Sequence, residues 1–498
     1  MEQLYLGIDL GTSAMKIVLI DEERRILAKD SEEYELSEPE EGWSEINQEL
    51  WFDSMVCGIR KIMEGRDASR LRSIGFTGQM HTLIVLDKEG RYIRPALMWN
   101  DLRTTELIPE LKERLLSFEE GEYLSRTIST GSPAANLYWL KRYEPENFTR
   151  IGKFLIGFDY LTYRLTGYYC TDYCGASTSC LYENGSRRWS AQMRDYLGLP
   201  ETAYPEIRGS AQTAGTLTEE MAELLGLSKD VAVLVGTGDN PASAISTGCL
   251  GSGYPVISLG TSGVLIIPDS SDGSNKYGKK ILFSFDDGVF FNLVQGAVQS
   301  NGNTVAWWTQ KIMGSSDFSC IDQAIDLEKE KKNRVVFYPH ITGDKTLYGD
   351  PTLKGAFVGL SMNSECDDLL YSVLEGLCFG FRELSEKMCL EVRENGCVKV
   401  VGGGARSKVW MQTLANVLNH PVEQMDGMIG AAFGVALLAA YRDGGGTDYG
   451  KAAEKTVSVR RRFVPEPEMA KICERKYQVY KRMHDGLKYI TDGKPVVS

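Results

Sequence analysis

Two β-branched, apolar runs, Leu4–Ile8 and Ile17–Ile20, flank a small polar turn, Asp9-Leu10-Gly11-Thr12-Ser13. This pattern predicts a β-hairpin whose tip is rich in backbone N–H donors and hydroxyls. Gly11 permits a left-handed turn or a close backbone approach, and Thr12 and Ser13 can donate to an anion. The carboxylate of Asp9 sits at the mouth of the same turn, an arrangement that makes sense if a metal ion joins acid and anion. The pattern returns at Tyr254–Pro268: LGTS occurs at Leu10–Ser13 and again at Leu259–Ser262, half a chain apart. Two copies of one phosphate-type hairpin predict a duplicated architecture, residues 1–247 and 248–498, with a ligand cleft between the halves.

Further elements place the candidate chemistry. Leu50, Met55, Ile59 and Met63 have helical spacing, whereas Ser73–Met80 reads as a strand breaking at Gly78, with a second strand at Leu83–Leu86. Gln79, His81, Trp99, Asn100, Asp101 and Arg103 therefore fall near strand ends. Neutral hydrogen-bonding groups beside an aromatic platform suit a polyol or sugar. Singly, His81 reads equally well as a core histidine and Asp101 as a helix cap. Val231–Val235 is a continuous buried-strand pattern ended by Gly236-Thr237-Gly238-Asp239-Asn240-Pro241. Asn240 and Pro241 read as the cap and first residue of a helix from Ala242, which puts Asp239 where α/β proteins bind ligands. Val398–Val401 is a strand running into Gly402-Gly403-Gly404-Ala405-Arg406-Ser407 and a helix over Trp410–Leu418, a layout that lets backbone approach a nucleotide. Leu369–Glu386 and the charged tail Arg460–Tyr489 read as helices, and Gly430–Ala440 as a small-residue helix suited to close packing.

Composition narrows the partners. The 498 residues carry 43% hydrophobic and 25% charged side chains, ordinary for a globular protein of two large domains. A net charge of −13 argues against nucleic acid or an anionic membrane. The N-terminus shows no basic stretch before an apolar core, and the longest apolar run, Ile429–Tyr441, is too short to span a bilayer. Eleven cysteines without a C-x-x-C pair read as reduced thiols, so a cytoplasmic location is expected. Cys170, Cys174 and Cys180 cluster, but their spacing fits no standard zinc pattern.

The order DLGTS, GQMH, RPALMWNDLR, GDN, SLGTSG and VGGGARS resembles the FGGY family of carbohydrate kinases over essentially the whole chain. The GQMH and WND combination is most similar to its xylulose-phosphorylating branch. The resemblance implies an α/β fold of two actin-like ATPase (ribonuclease H-like) domains closing around ATP, Mg²⁺ and a sugar. It implies Asp239 as the base that accepts the sugar hydroxyl proton, and sugar contacts at Met80, His81, Trp99, Asp239 and Asn240. Nucleotide contacts are implied at Gly11, Thr12, Ser13, Gly260, Thr261, Gly302, Gly403, Gly404 and Ser407, and Mg²⁺ near Asp9 and Asp239. The expected reaction is transfer from ATP to a small ketose, D-xylulose by preference. Another ketose or polyol is the alternative, and a non-catalytic actin-like nucleotide-binding protein a weaker one. The resemblance leaves room for a homodimer. Departures occur at Ala135-Asn136 and Phe158-Asp159, where family lysines are replaced, and at Asp344-Lys345, which stand for Glu-Arg. These changes bear on substrate identity more than on phosphoryl transfer.

Overall fold

The computed structural model describes residues 3–249, 254–260, 262–269, 277–344, 346–350, 352–388, 396–425, 430–445 and 458–491. The strands of the first half include β1 (Leu4–Leu10), β2 (Ala14–Asp21), β3 (Ile26–Glu33), β4 (Glu45–Ile46), β5 (Leu71–Gly78), β6 (Leu83–Leu86), β7 (Ala96–Leu97), β8 (Lys153–Ile156), β9 (Thr213–Thr216), β10 (Ala232–Leu234) and β11 (Thr237–Gly238), besides short ones such as Cys170–Asp172. The second half holds β12 (Val256–Leu259), β13 (Gly263–Asp269), β14 (Phe290–Val298), β15 (Val398–Val401), β16 (Val422–Met425) and β17 (Val459–Phe463).

The duplication written in the two LGTS hairpins is present in the sheets. One has the order β9-β10-β5-β1-β2-β3 and the other contains β17-β16-β15-β12-β13-β14. The hairpin strand β1 runs antiparallel to β2 and parallel to β5. Likewise β12 runs antiparallel to β13 and parallel to β15. A second parallel pair follows in each, β5 with β10 and β15 with β16, and an antiparallel strand closes the series, β9 or β17.

Contacts divide the chain into two units that are not contiguous in sequence. Described residues 3–249, 281–292 and 430–445 form one, and 254–260, 262–269, 277–280, 293–344, 346–350, 352–388, 396–425 and 458–491 the other. The first sheet explains why residues 430–445 return to the first unit. Strand β1 is buried along nearly its whole length, so both of its faces need a cover. Leu6, Ile8, Ile74 and Phe76 join a core with Trp51, Met55 and Ile59 of the helix Gln48–Met63. Alternate positions, Gly7 and Gly75, meet the helix Ala431–Asp443 so closely that a Cβ at Gly7 would lie 1.9 Å from the Ala432 carbonyl. The small-residue run 430–440 is thus a packing surface, as its composition predicts.

A smaller antiparallel sheet, β4-β7-β6-β8, carries the loops that follow β5 and β7. In the second unit, the helix Cys366–Lys387 is buried along most of its length in the core that also holds Phe337, Trp410 and Tyr480. The charged tail begins as β17 before the helix Pro467–Thr491, because Phe463 and its neighbours pair with β16.

Candidate functional site

The first turn, between β1 and β2, is tight. The Gly11 N–H donates to the carbonyls of Asp9 and Ala14, both at 3.1 Å, so it is used within the turn and not offered outward. A Cβ at Gly11 would lie 2.7 Å from the Ala14 carbonyl, so close approach is what selects glycine there. The Thr12 hydroxyl accepts from Trp99 Nε1 at 3.0 Å and lies 3.4 Å from Gln79 Oε1, and Ser13 is exposed.

Strand register collects the remaining candidates of this unit. Asp9 pairs with Thr77 of β5, and Gly238 pairs with Gly78 on the other side of the same strand. Asp9 and Asp239 therefore flank the C-terminal end of β5, two strand spacings or about 10 Å apart. The chain leaving β5 supplies Gln79, Met80 and His81. His81 is held in the left-handed region at φ 72°, a conformation that a bulky residue adopts only under constraint. Trp99 is anchored by its backbone N–H to Thr82 Oγ1 at 3.2 Å, while the residue is 43% exposed.

Two sequence readings are corrected here. The helix opens at Asp239, not Ala242, and Gly238 rather than Asn240 occupies the cap position. Pairing of β11 with β5 continues through Gly238, so the chain turns into the helix at once. The Asp239 carboxylate accepts from the Asn240 N–H at 2.8 Å. Asp101 caps no helix: it is fully buried and accepts from the Ser44 N–H at 2.7 Å and from Arg103 Nε and Nη2 at 2.8 Å each. Asp101 and Arg103 thus brace the loop that presents Trp99.

Burial pushes the Asp9 carboxyl up to about 6, with Lys16 opposing the rise. A carboxylate so short of positive charge suits a cation arriving with phosphate oxygens. No group of three or more His, Cys, Asp or Glu that could hold a metal ion occurs among the described residues. Cys170, Cys174 and Cys180 are buried and form no disulfide among the described residues.

In the second unit, Gly260 and Ser262 lie in the β12–β13 turn, and Thr261 lies outside the described residues. The Gly260 carbonyl accepts from the Gly302 N–H and from Asn301 Nδ2, both at 3.0 Å. This ties the start of the helix Gly302–Trp307 to the turn. The three glycines after β15 do different work. Gly402 has φ 96° and presses on Leu259, and Gly404 packs on Trp410, whereas a Cβ at Gly403 would meet open space. The Ser407 hydroxyl is already engaged. It donates to Asp322 and accepts from the Trp410 N–H at 3.1 Å, capping the helix Lys408–Leu418. Asp322, Asn301 and Asp172 (hydrogen-bonded to Thr237) are polar partners that sequence reasoning did not single out. Each is a lone acid or amide without a local motif.

No helix among the described residues is long and apolar enough to cross a membrane. Residues 4–246 match the N-terminal domain, and residues 256–442 the C-terminal domain, of the FGGY family of carbohydrate kinases. A xylulose kinase of Staphylococcus xylosus is 28% identical over 494 residues, covering 96% of this chain and 99% of its own. The crystal structure of a "xyloylose kinase" from Brucella ovis superposes with a TM-score of 0.88 at 30% identity, covering 98% of this chain and 100% of that one. A gluconate kinase from Lactobacillus acidophilus shares the fold, with a TM-score of 0.85 at 21% identity over 98% of each chain.

Proposed function

From a chain that belongs to the FGGY family of carbohydrate kinases, and is thus a carbohydrate kinase, we infer a specific reaction. It transfers the γ-phosphoryl group of ATP to D-xylulose, giving the 5-phosphate, with Asp239 as general base. The observation that carries this reading is the register that puts Asp9 and Asp239 on either side of β5, next to Met80 and His81. An acceptor hydroxyl beside Asp239 would lose its proton to the carboxylate as its oxygen attacks phosphorus in line. A loose phosphoryl transition state asks little covalent help, so positioning and charge neutralisation dominate the gain.

Asp9 and Asp239 would hold Mg²⁺ through water, and the ion would supply charge neutralisation on the phosphates. Thr12 and Ser13 would donate to phosphate oxygens, Gly260 and Thr261 would serve the same end from the second hairpin, and Gly302, Gly403 and Gly404 would admit the nucleotide. Ser407 would act through the helix it caps. Met80, His81, Trp99 and Asn240 would shape the sugar pocket. The name carried by the relatives, xylulose kinase, favours D-xylulose. The replaced lysines at Asn136 and Phe158 and the gluconate kinase of shared fold favour keeping other ketoses and polyols as the second reading.

The test is ADP release from MgATP against D-xylulose, other pentuloses, hexuloses, glycerol and gluconate, for the wild type and Asp239→Asn. D-xylulose turnover that falls at least about 10²–10⁴-fold in the variant supports both assignments. Turnover of another sugar, lost in the variant, keeps the base and moves the substrate. Hydrolysis indifferent to sugar and surviving in the variant overturns the reading.

A further inference from the structure

We propose that Asp172 is a positioning residue for phosphoryl transfer, its carboxylate fixing Thr237 and thereby the turn that presents Asp239. The proposal rests on Asp239 being the base.

The helix Tyr173–Thr178, which follows the strand Cys170–Asp172, packs against β11. Asp172 Oδ2 accepts from Thr237 Oγ1 at 2.6 Å, and both residues are essentially without solvent exposure. That distance is in the short range of hydrogen bonds to an ionised acceptor, about twice as strong as neutral ones. Thr237 stands two residues before Asp239 and pairs with Thr77, so the bond acts on the segment whose register sets the distance between Asp9 and Asp239.

A simpler role is available and is insufficient. Asp172 caps the helix 173–178 through Oδ1, which accepts from the Gly175 N–H at 2.8 Å. Asparagine would cap equally well without burying a charge. The carboxylate has no lysine, arginine or histidine partner among the described residues, and burial raises it to about 6. A buried carboxylate with no cation beside it is costly even when hydrogen-bonded, and acids perturbed in this way concentrate at functional sites.

A second contact joins the same two segments. Cys174 Sγ lies 3.3 Å from Met80 Sδ, and a Cβ at Gly238 would meet both Cys174 Sγ and Met80 Cγ at 2.8 Å. Residues 172–174 therefore back the turn before Asp239 and the methionine of GQMH together.

The test is steady-state kinetics on Thr237→Val, Thr237→Ser, Asp172→Asn and Asp172→Asn/Thr237→Val, with Asp239→Asn in parallel. Thr237→Val and Asp172→Asn should each lower kcat about 10–100-fold. KM for sugar and ATP should stay within about 3-fold. The double variant should be no worse than the weaker single one, and Thr237→Ser should recover kcat to within about 3-fold of wild type. If Asp172→Asn fails to fold, the Val and Ser variants decide alone. Wild-type kcat in Thr237→Val, or multiplying losses in the double variant, overturns the proposal. Loss in Asp239→Asn with wild-type Thr237→Val refutes the positioning role alone, whereas wild-type turnover in Asp239→Asn refutes the base assignment beneath it.

Discussion

Trp99 reaches across the first unit to donate its indole N–H to the hydroxyl of Thr12, at 3.0 Å. One residue belongs to the WND segment and the other to the first LGTS turn, so the bond ties a candidate sugar-binding loop to a candidate phosphate loop. Thr12→Val removes one end with little change of shape, and Trp99→Phe removes the other together with the pyrrole ring, keeping an aromatic side chain. Each should lower kcat/KM for ATP and for sugar together. The double-mutant cycle should show a coupling of about 0.5–1.5 kcal/mol. Additive effects across the cycle would mean that the two loops act separately.

Asp9 gives a pH dependence with a defined sign. Its carboxyl titrates at about 6 in the fold against an ordinary 3.8, so it is protonated below about 6 and ionised above. If its charge serves the nucleotide, kcat/KM for ATP falls as pH drops through about 6, and Asp9→Asn lacks that limb. The stability effect has the opposite direction. A raised folded-state pKa means that stability is lost as pH climbs from about 4 to 6. Asp9→Asn, measured without nucleotide or Mg²⁺ at pH 8, should therefore melt higher than wild type while turning over far more slowly.

Close packing makes Gly434 intolerant of a methyl group. A Cβ there would stand 1.9 Å from the carbonyl of Ala242, on the helix that begins with Asp239. Gly434→Ala should cost about 2–3 kcal/mol in denaturant unfolding. It should also depress kcat in the protein that remains folded, because the helix bearing Asp239 must shift. Unchanged unfolding and turnover would contradict this packing.

Glu330 supplies a test in the second unit, away from the chemistry. It is fully buried, Oε2 accepts from Asn333 Nδ2 at 2.7 Å, and Oε1 has no hydrogen-bond partner. Burial raises the group to about 7, and the charge of Asp368 adds to the rise. The folded-state value lies above the ordinary one, so this side chain loses stability as pH rises from about 4.5 to 7. Glu330→Gln should gain on the wild type steadily over that interval and level off above it. A difference in unfolding free energy that is flat with pH would show that Glu330 is not desolvated.

Local patterns carried much of the architecture. The two hairpins, the strand ending at Gly78, the glycine turn after Val401 and the small-residue helix at 430–440 are all written in a few neighbouring residues each. What sequence could not show depends on distant partners. The Asn240-Pro241 pair has the chemistry of a helix start, yet pairing of Thr237 and Gly238 with β5 moves that start to Asp239. Ser407 looks available in a glycine-rich turn, yet Asp322, 85 residues earlier, already holds its hydroxyl. Asp172 carries no local signal, since a lone acid after a short strand is common and only the fold brings Thr237 to it.

The return of the helix Ala431–Asp443 to the first sheet has a consequence for how the protein is made. A ribosome delivers β1 and β5 hundreds of residues before the helix that lies against Gly7 and Gly75. During that interval one side of the nascent sheet has no native cover. A fragment ending near residue 247 would keep that bare side permanently and should aggregate or recruit chaperones, whereas the same fragment supplied with a peptide spanning 430–445 should become soluble. Completion of the first unit is thus a late event in translation, tied to synthesis of most of the second.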